Sequence, residues 1–213
     1  MELELLKRLS RSDKVYLAKN KNGEIVVLKK YNDKNSQKIE MKILDQLAVS
    51  GYAPKIIEKG DDYIIYEYLE GMSFAEKFHS YTMLDDEEGL VRLANELSIF
   101  LQIFYSLADG YIINDISFSN FIIKDGRCYG VDYDSVANGM QYTDVAKVVA
   151  HAVTHAVGNI VSSFPFIKQL LKNFRLDMID IINDVKLALS ESPMIINVDY
   201  ILNSLMYIDD MKI

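Results

Sequence analysis

Apolar and polar positions alternate along the first third of the chain and then change period. Residues 15–20 (VYLAKN) and 24–31 (EIVVLKKY) read as two strands, and Lys21-Asn22-Gly23 between them favours the mirror-image turns that hairpins need. The opening MELELLKRLS suits a helix or a strand. Over 36–49 (SQKIEMKILDQLAV), Ile39, Ile43 and Leu47 stand four apart behind Ser36, an expected N-cap, which predicts an amphipathic helix. Glu40 precedes Ile43, Leu44 and Leu47 at i, i+3, i+4 and i+7, so it lies on the flank of the apolar face, where it either meets a buried cation or faces water. YAPKIIEKG and DDYIIYEYLEG add two strands, giving a small five-stranded antiparallel sheet with one helix against it.

Past Gly71 the period becomes helical. Leu90, Leu93, Ala94, Leu97, Leu101, Phe104 and Leu107 form one stripe of a long helix stopped by Gly110. A further helix is expected from about Asp144 (TDVAKVVAHAVTHAV). FPFIKQLLKNF, LDMIDIINDVKLAL and VDYILNSLMYI follow as closing helices. The fold class is therefore α+β.

Chemistry concentrates in Asp109 to Asp134, DGYIINDISFSNFIIKDGRCYGVDYD. Asp125-Gly126 favours a tight turn between FII and CYGVD, with Asp132 expected to close the second strand. Such a hairpin returns Asp115, Asn120 and Asp132 to one edge. The set suits phosphoryl transfer, with Asp115 accepting the proton of the nucleophile while Asn120 and Asp132 hold Mg²⁺ against a triphosphate.

This stretch resembles the catalytic loop and metal-binding segment of protein-kinase-like enzymes, especially the small RIO-type and aminoglycoside-phosphotransferase-type kinases. Val26-Val27-Leu28-Lys29 looks like the kinase strand whose lysine meets the α- and β-phosphates, with Val27 on the same face as Lys29. Glu40-Met41-Lys42-Ile43-Leu44 resembles the helix whose glutamate grips that lysine. Glu67-Tyr68-Leu69-Glu70-Gly71 resembles the hinge whose backbone, around Glu67 and Leu69, binds adenine behind Tyr66. The resemblance implies a two-lobed fold, with residues 1–71 as the N-lobe and 72–213 as the C-lobe. It also implies ATP with Mg²⁺, or Mn²⁺ in its place, as cofactors.

Three departures accompany it. The phosphate-covering segment, Leu9 to Tyr16, holds no glycine, leaving Ser10, Ser12 and their amides to meet phosphate. Ile113-Asn114 precedes Asp115 where relatives carry His-Arg or His-Gly. The eleven residues Tyr133 to Thr143 are far shorter than a usual activation segment. Asp144 is expected either to brace the catalytic-loop backbone, as in relatives, or to act as an N-cap.

Composition narrows the function classes. A formal charge of −8 and a pI near 4.9 argue against a sequence-independent nucleic-acid binder. The opening residues lack a signal-peptide layout and no run of 18 uninterrupted apolar residues occurs, so a cytoplasmic location is expected. A single cysteine, Cys128, excludes an internal disulfide and reads as packing. His151 and His155, at i and i+4, share a helix face but bring no further ligand with them. The expected function is transfer of the γ-phosphoryl group of ATP to a hydroxyl, foremost the serine or threonine of a protein or of the chain itself. Two alternatives stand beside it: a small-molecule kinase for a sugar, aminoglycoside or choline-like alcohol, and a nucleotide-binding scaffold that has lost catalysis.

Overall fold

The computed structural model describes residues 3–10, 14–156, 159–192 and 196–208. Five strands, β1 (Leu3–Arg8), β2 (Val15–Asn20), β3 (Ile25–Lys30), β4 (Ile56–Lys59) and β5 (Tyr63–Glu67), form an antiparallel sheet in the order β1-β2-β3-β5-β4. The opening segment is thus a strand, paired along β2 with a bulge between Leu5 and Lys7. The β2–β3 connection is not a mirror-image Asn-Gly turn. Only Gly23 is left-handed (φ 85°), and the Asn20 side chain closes the four-residue loop by accepting from Asn22 N (2.9 Å) and Glu24 N (3.0 Å).

Helix α1 (Lys34–Val49) begins three residues before the start that a Ser36 cap implies. Its cap is Asp33, whose carboxylate accepts from Ser36 N at 2.7 Å, and Ser36 is the third helical residue. The Asp33 carboxylate prevails because it lies just outside the helix, where a side-chain oxygen can reach back to the free N–H groups of the first turn. On one side α1 meets Val27, Tyr31, Ile64 and Tyr66 of the sheet. Ile43, Leu44 and Leu47 join the large core of the helical lobe. Gln37 ties helix to sheet by donating to Gly60 O (2.9 Å) and Tyr63 O (3.0 Å).

Beyond Glu67 come β6 (Met72–Ser73), α2 (Phe74–Met83) and α3 (Glu87–Leu107), then the short β7 (Tyr111–Ile112). β8 (Phe121–Lys124) and β9 (Arg127–Gly130) form the expected hairpin, with Asp125 (φ 51°) and Gly126 (φ 76°) both left-handed as a mirror-image turn requires. The second strand stops at Gly130, so Asp132 lies two residues past its end instead of closing it. β10 (Ala137–Asn138) pairs with β7 and leads into α4 (Gln141–His155). The last helices are α5 (Phe164–Phe174), α6 (Met178–Ser190) and α7 (Val198–Met206).

By length and composition α3 would suit a membrane span. Here Leu93, Ala94, Leu97, Phe100, Leu101 and Phe104 are buried in the helical lobe, the usual place for an apolar stripe of a core helix. Phe74, Phe78, Phe118 and Phe166 interlock as tilted and edge-on rings at 4.8 to 6.1 Å, fixing the turn that follows Asp115 against α2 and α5. The architecture is a small sheet-plus-helix lobe over a mostly helical one.

Candidate active site

Alternation along β3 puts Val27 and Lys29 on the face toward α1 and Leu28 on the other, where it packs with Ala18, Val26 and Ile65. Lys29 is 2% exposed and Glu40, a turn and a half into α1, is 0% exposed. The Lys29 ammonium donates to Glu40 Oε2 at 2.7 Å and to Asp132 Oδ1 at 2.6 Å, and Asp134 Oδ2 lies 3.6 Å away. The acid on the flank of the predicted helix thus has a buried cation as its partner. Burial works against the Lys29 charge, but Glu40, Asp132 and Tyr66 outweigh it and hold its pKa above the ordinary lysine value. Burial lifts the Glu40 carboxyl to about 7 against the pull of Lys29.

A cleft of about 510 Å³ opens beside this pair, between the lobes. Val15, Val27, Leu69, Ile122 and Val131 give it apolar walls, while Ser10, Lys29, Glu67, Asn120 and Asp132 supply polar groups. Ser10 Oγ accepts from Val15 N at 3.2 Å, and Ser12 lies outside the described residues. The Glu67 N–H is committed to Lys55 O (3.0 Å), whereas among the described residues the backbone of Leu69 takes part in no hydrogen bond. Leu69 therefore has a free donor and acceptor for a ligand edge.

Asp115 lines a second pocket, of about 250 Å³, together with Asn114, Lys147, His151, Thr154, Leu189 and Glu191. The loop from Asp115 to Asn120 runs between the two cavities, and Asn120 Nδ2 donates to Asp115 O at 3.4 Å. Partial desolvation raises the Asp115 pKa, and the charges of Asp132 and Asp134 add to the rise. The carboxyl is moved toward the range of a working general base.

The donor set fits a hard divalent cation. Asp132 and Asn120 offer carboxylate and amide oxygens, and Glu40, Asp132 and Asp134 together outnumber the one ammonium among them. Among the described residues no group of three or more His, Cys, Asp or Glu is arranged to hold a metal. His151 and His155 pack against the Phe118 ring at 5.5 and 5.6 Å and against each other at 5.3 Å.

Behind the loop, Asp144 accepts from Ile113 N (2.7 Å), Asn114 N (2.9 Å) and the Tyr105 hydroxyl (3.0 Å). As the fourth residue of α4 it is no N-cap; it braces the loop backbone. Two residues outside the expected site join it here. Lys147, one turn along α4, donates to Asn114 O (2.8 Å) and Asn114 Oδ1 (2.7 Å), and Asp134 stands beside Lys29. The i, i+3 spacing of Asp144 and Lys147 was the available signal for the first, and the second acid of Asp132-Tyr133-Asp134 for the other. Asn114 itself is left-handed (φ 66°), and Asp115 N donates to Ile113 O across it at 2.8 Å. A three-residue turn of this kind is rare and costs about 1–3 kcal/mol unless its surroundings hold it.

No family model matches the chain, and no curated protein matches it in sequence. Among solved structures, an ethanolamine kinase of Plasmodium vivax aligns over 97% of this chain and 76% of its own, with a TM-score of 0.50 and 14% identity. At that identity the likeness is one of fold. With the five-stranded sheet and single helix above a helical lobe, it gives this chain the protein-kinase-like fold.

Proposed function

We propose that the protein transfers the γ-phosphoryl group of ATP to the hydroxyl of a small molecule. The observation that carries the reading is the pair of cavities on either side of one loop. Lys29, Asn120 and Asp132 line the larger cleft, while Asp115, five residues before Asn120, lines the smaller pocket. A phosphate donor and a hydroxyl acceptor bound in them would meet at the loop, as in-line transfer needs.

In this reading the apolar walls and the free Leu69 backbone take the adenine, and Lys29, fixed by Glu40, orients the α- and β-phosphates. Asp132 and Asn120 would hold Mg²⁺ or Mn²⁺, which supplies neutralising charge to the phosphates when bound. Asp115 takes the proton of the acceptor hydroxyl as its oxygen bonds to the γ-phosphorus. The bond to the β-bridging oxygen breaks, and its electron pair leaves with ADP.

The acceptor pocket holds about eight water-sized groups at ~30 Å³ each, a space for a compact alcohol. The ethanolamine kinase whose fold this chain shares is by name a small-molecule kinase, which favours the same class. Neither observation supports a serine or threonine of a protein. A scaffold without catalysis is disfavoured by the Lys29–Glu40–Asp132 contacts, since drift would be expected to break them.

Asp115→Asn tests the reading. The variant should bind ATP within a few-fold of wild type and transfer label from γ-labelled ATP to a pool of small alcohols at least about a hundredfold more slowly. Undiminished transfer would remove Asp115 from the mechanism, and label found only in protein would overturn the acceptor class.

A further inference from the structure

Asn114 is left-handed and spanned by a three-residue turn, and α4 holds its backbone N–H, its carbonyl and its side-chain oxygen. Asp144 takes its N–H at 2.9 Å, and Lys147 takes its carbonyl at 2.8 Å and its side-chain oxygen at 2.7 Å. The amide nitrogen of the Asn114 side chain donates to Ser135 O at 3.3 Å, linking the turn to the segment after Asp132. The left-handed conformation (φ 66°) and the Asp115 N to Ile113 O bond are thereby held from one helix turn.

We propose that Lys147 is a positioning residue that, through Asn114, sets the direction of the Asp115 carboxylate for phosphoryl transfer. The proposal rests on the function read above. The physical argument is one of division of labour within the clamp. Asp144 can only accept, so it fixes the N–H donors of Ile113 and Asn114 and offers nothing to the carbonyl of Asn114. A lysine has three donors and no acceptor, so Lys147 is the complement: it binds the two oxygens that Asp144 cannot. Acid and base three apart on one helix thus hold the two peptide groups that flank Asn114, the residue entering Asp115. Asparagine suits position 114 because it tolerates the left-handed region and offers Lys147 a second oxygen. Reaching a backbone carbonyl and a neighbouring side-chain oxygen together gives the ammonium a fixed seat in the wall of the acceptor pocket, where it lines the same space as Asp115.

Lys147→Met should leave ATP affinity within about twofold, measured by calorimetry, because Lys147 does not line the nucleotide cleft. It should lower kcat by at least about tenfold with KM for ATP unchanged, since a misdirected base slows the chemical step alone. Independently of any activity, amide hydrogen exchange at Ile113, Asn114 and Asp115 should quicken locally while α3 keeps its protection. Lys147→Arg, which can reach both oxygens with a planar fork, should restore most of the exchange protection and of kcat. Should Lys147→Met not fold, Asn114→Ala, which deletes one of the two oxygens, should quicken the same amides to a smaller degree. Unchanged exchange at 113–115, or exchange that rises equally across α3, would overturn the proposal. A wild type that transfers no phosphate would instead count against the functional reading, with the exchange result still deciding whether the clamp exists.

Discussion

Lys29 meets its two nearest carboxylates at 2.7 and 2.6 Å from a position almost sealed from water. A buried ion pair adds little net stability over an apolar pair of the same shape, yet losing one partner strands the other charge at roughly 3–5 kcal/mol. Retaining such a pair is therefore most simply explained by work on a ligand. Lys29→Met, Glu40→Gln and the double variant should lose similar amounts of transfer activity, because each breaks one unit and the effects do not add. Lys30→Met should be nearly silent in the same assay, since Lys30 faces outward over the Tyr16 ring at 5.3 Å. Additive losses, or a sensitive Lys30, would separate Lys29 from Glu40. The residue types and their order were legible in the chain. That Lys29 also reaches Asp132, 103 positions away, was not, because no local period encodes a contact across lobes.

α1 shows what sequence period reveals about an element and where it falls short. Four-residue spacing of Ile39, Ile43 and Leu47 located the helix, but its cap is Asp33 and not Ser36. Both are good capping residues, and which one serves depends on where the chain leaves β3, a matter of tertiary path. Asp33→Ala should lower stability, seen as a smaller urea midpoint with an unchanged slope. Ser36→Ala should cost less, and the opposite order would return the cap to Ser36. The β8–β9 hairpin was legible because Asp-Gly demands left-handed backbone at both positions. The β2–β3 loop was misread as the same turn, since Asn20 intercepts two of its amides with a side chain that the dipeptide rule does not see.

At the scale of the whole molecule, α4 joins the loop that carries Asp115 to the core, and His151 lies at that junction. Burial, aided by the nearby His155, lowers the His151 pKa from 6.5 to about 4, and its Nδ1 is sealed without a hydrogen-bond partner. The folded value lies below the unfolded one, so the neutral ring's contribution is complete above pH 6.5 and is lost as pH falls toward 4. The shift corresponds to about 3 kcal/mol across that window. In thermal or urea unfolding between pH 4 and 7, the wild type should lose stability more steeply than His151→Phe as pH falls below 6.5. Parallel curves would mean that other groups govern the acid limb.

The sequence by itself determined the elements, because strand and helix periods, turn dipeptides and the run from Asp109 to Asp134 are local properties of neighbouring residues. The same logic separated the faces of β3, with Val27 and Lys29 on one and Leu28 and Lys30 on the other. Only the tertiary structure decided which distant groups share a space. It joined Lys29 to Asp132, set the two cavities on opposite sides of one loop, and turned Asp144 from a possible cap into a brace with Lys147 beside it. Those outcomes depend on how α1, α3 and α4 pack through a common core, and packing is a sum over many weak contacts whose partners lie far apart in the chain.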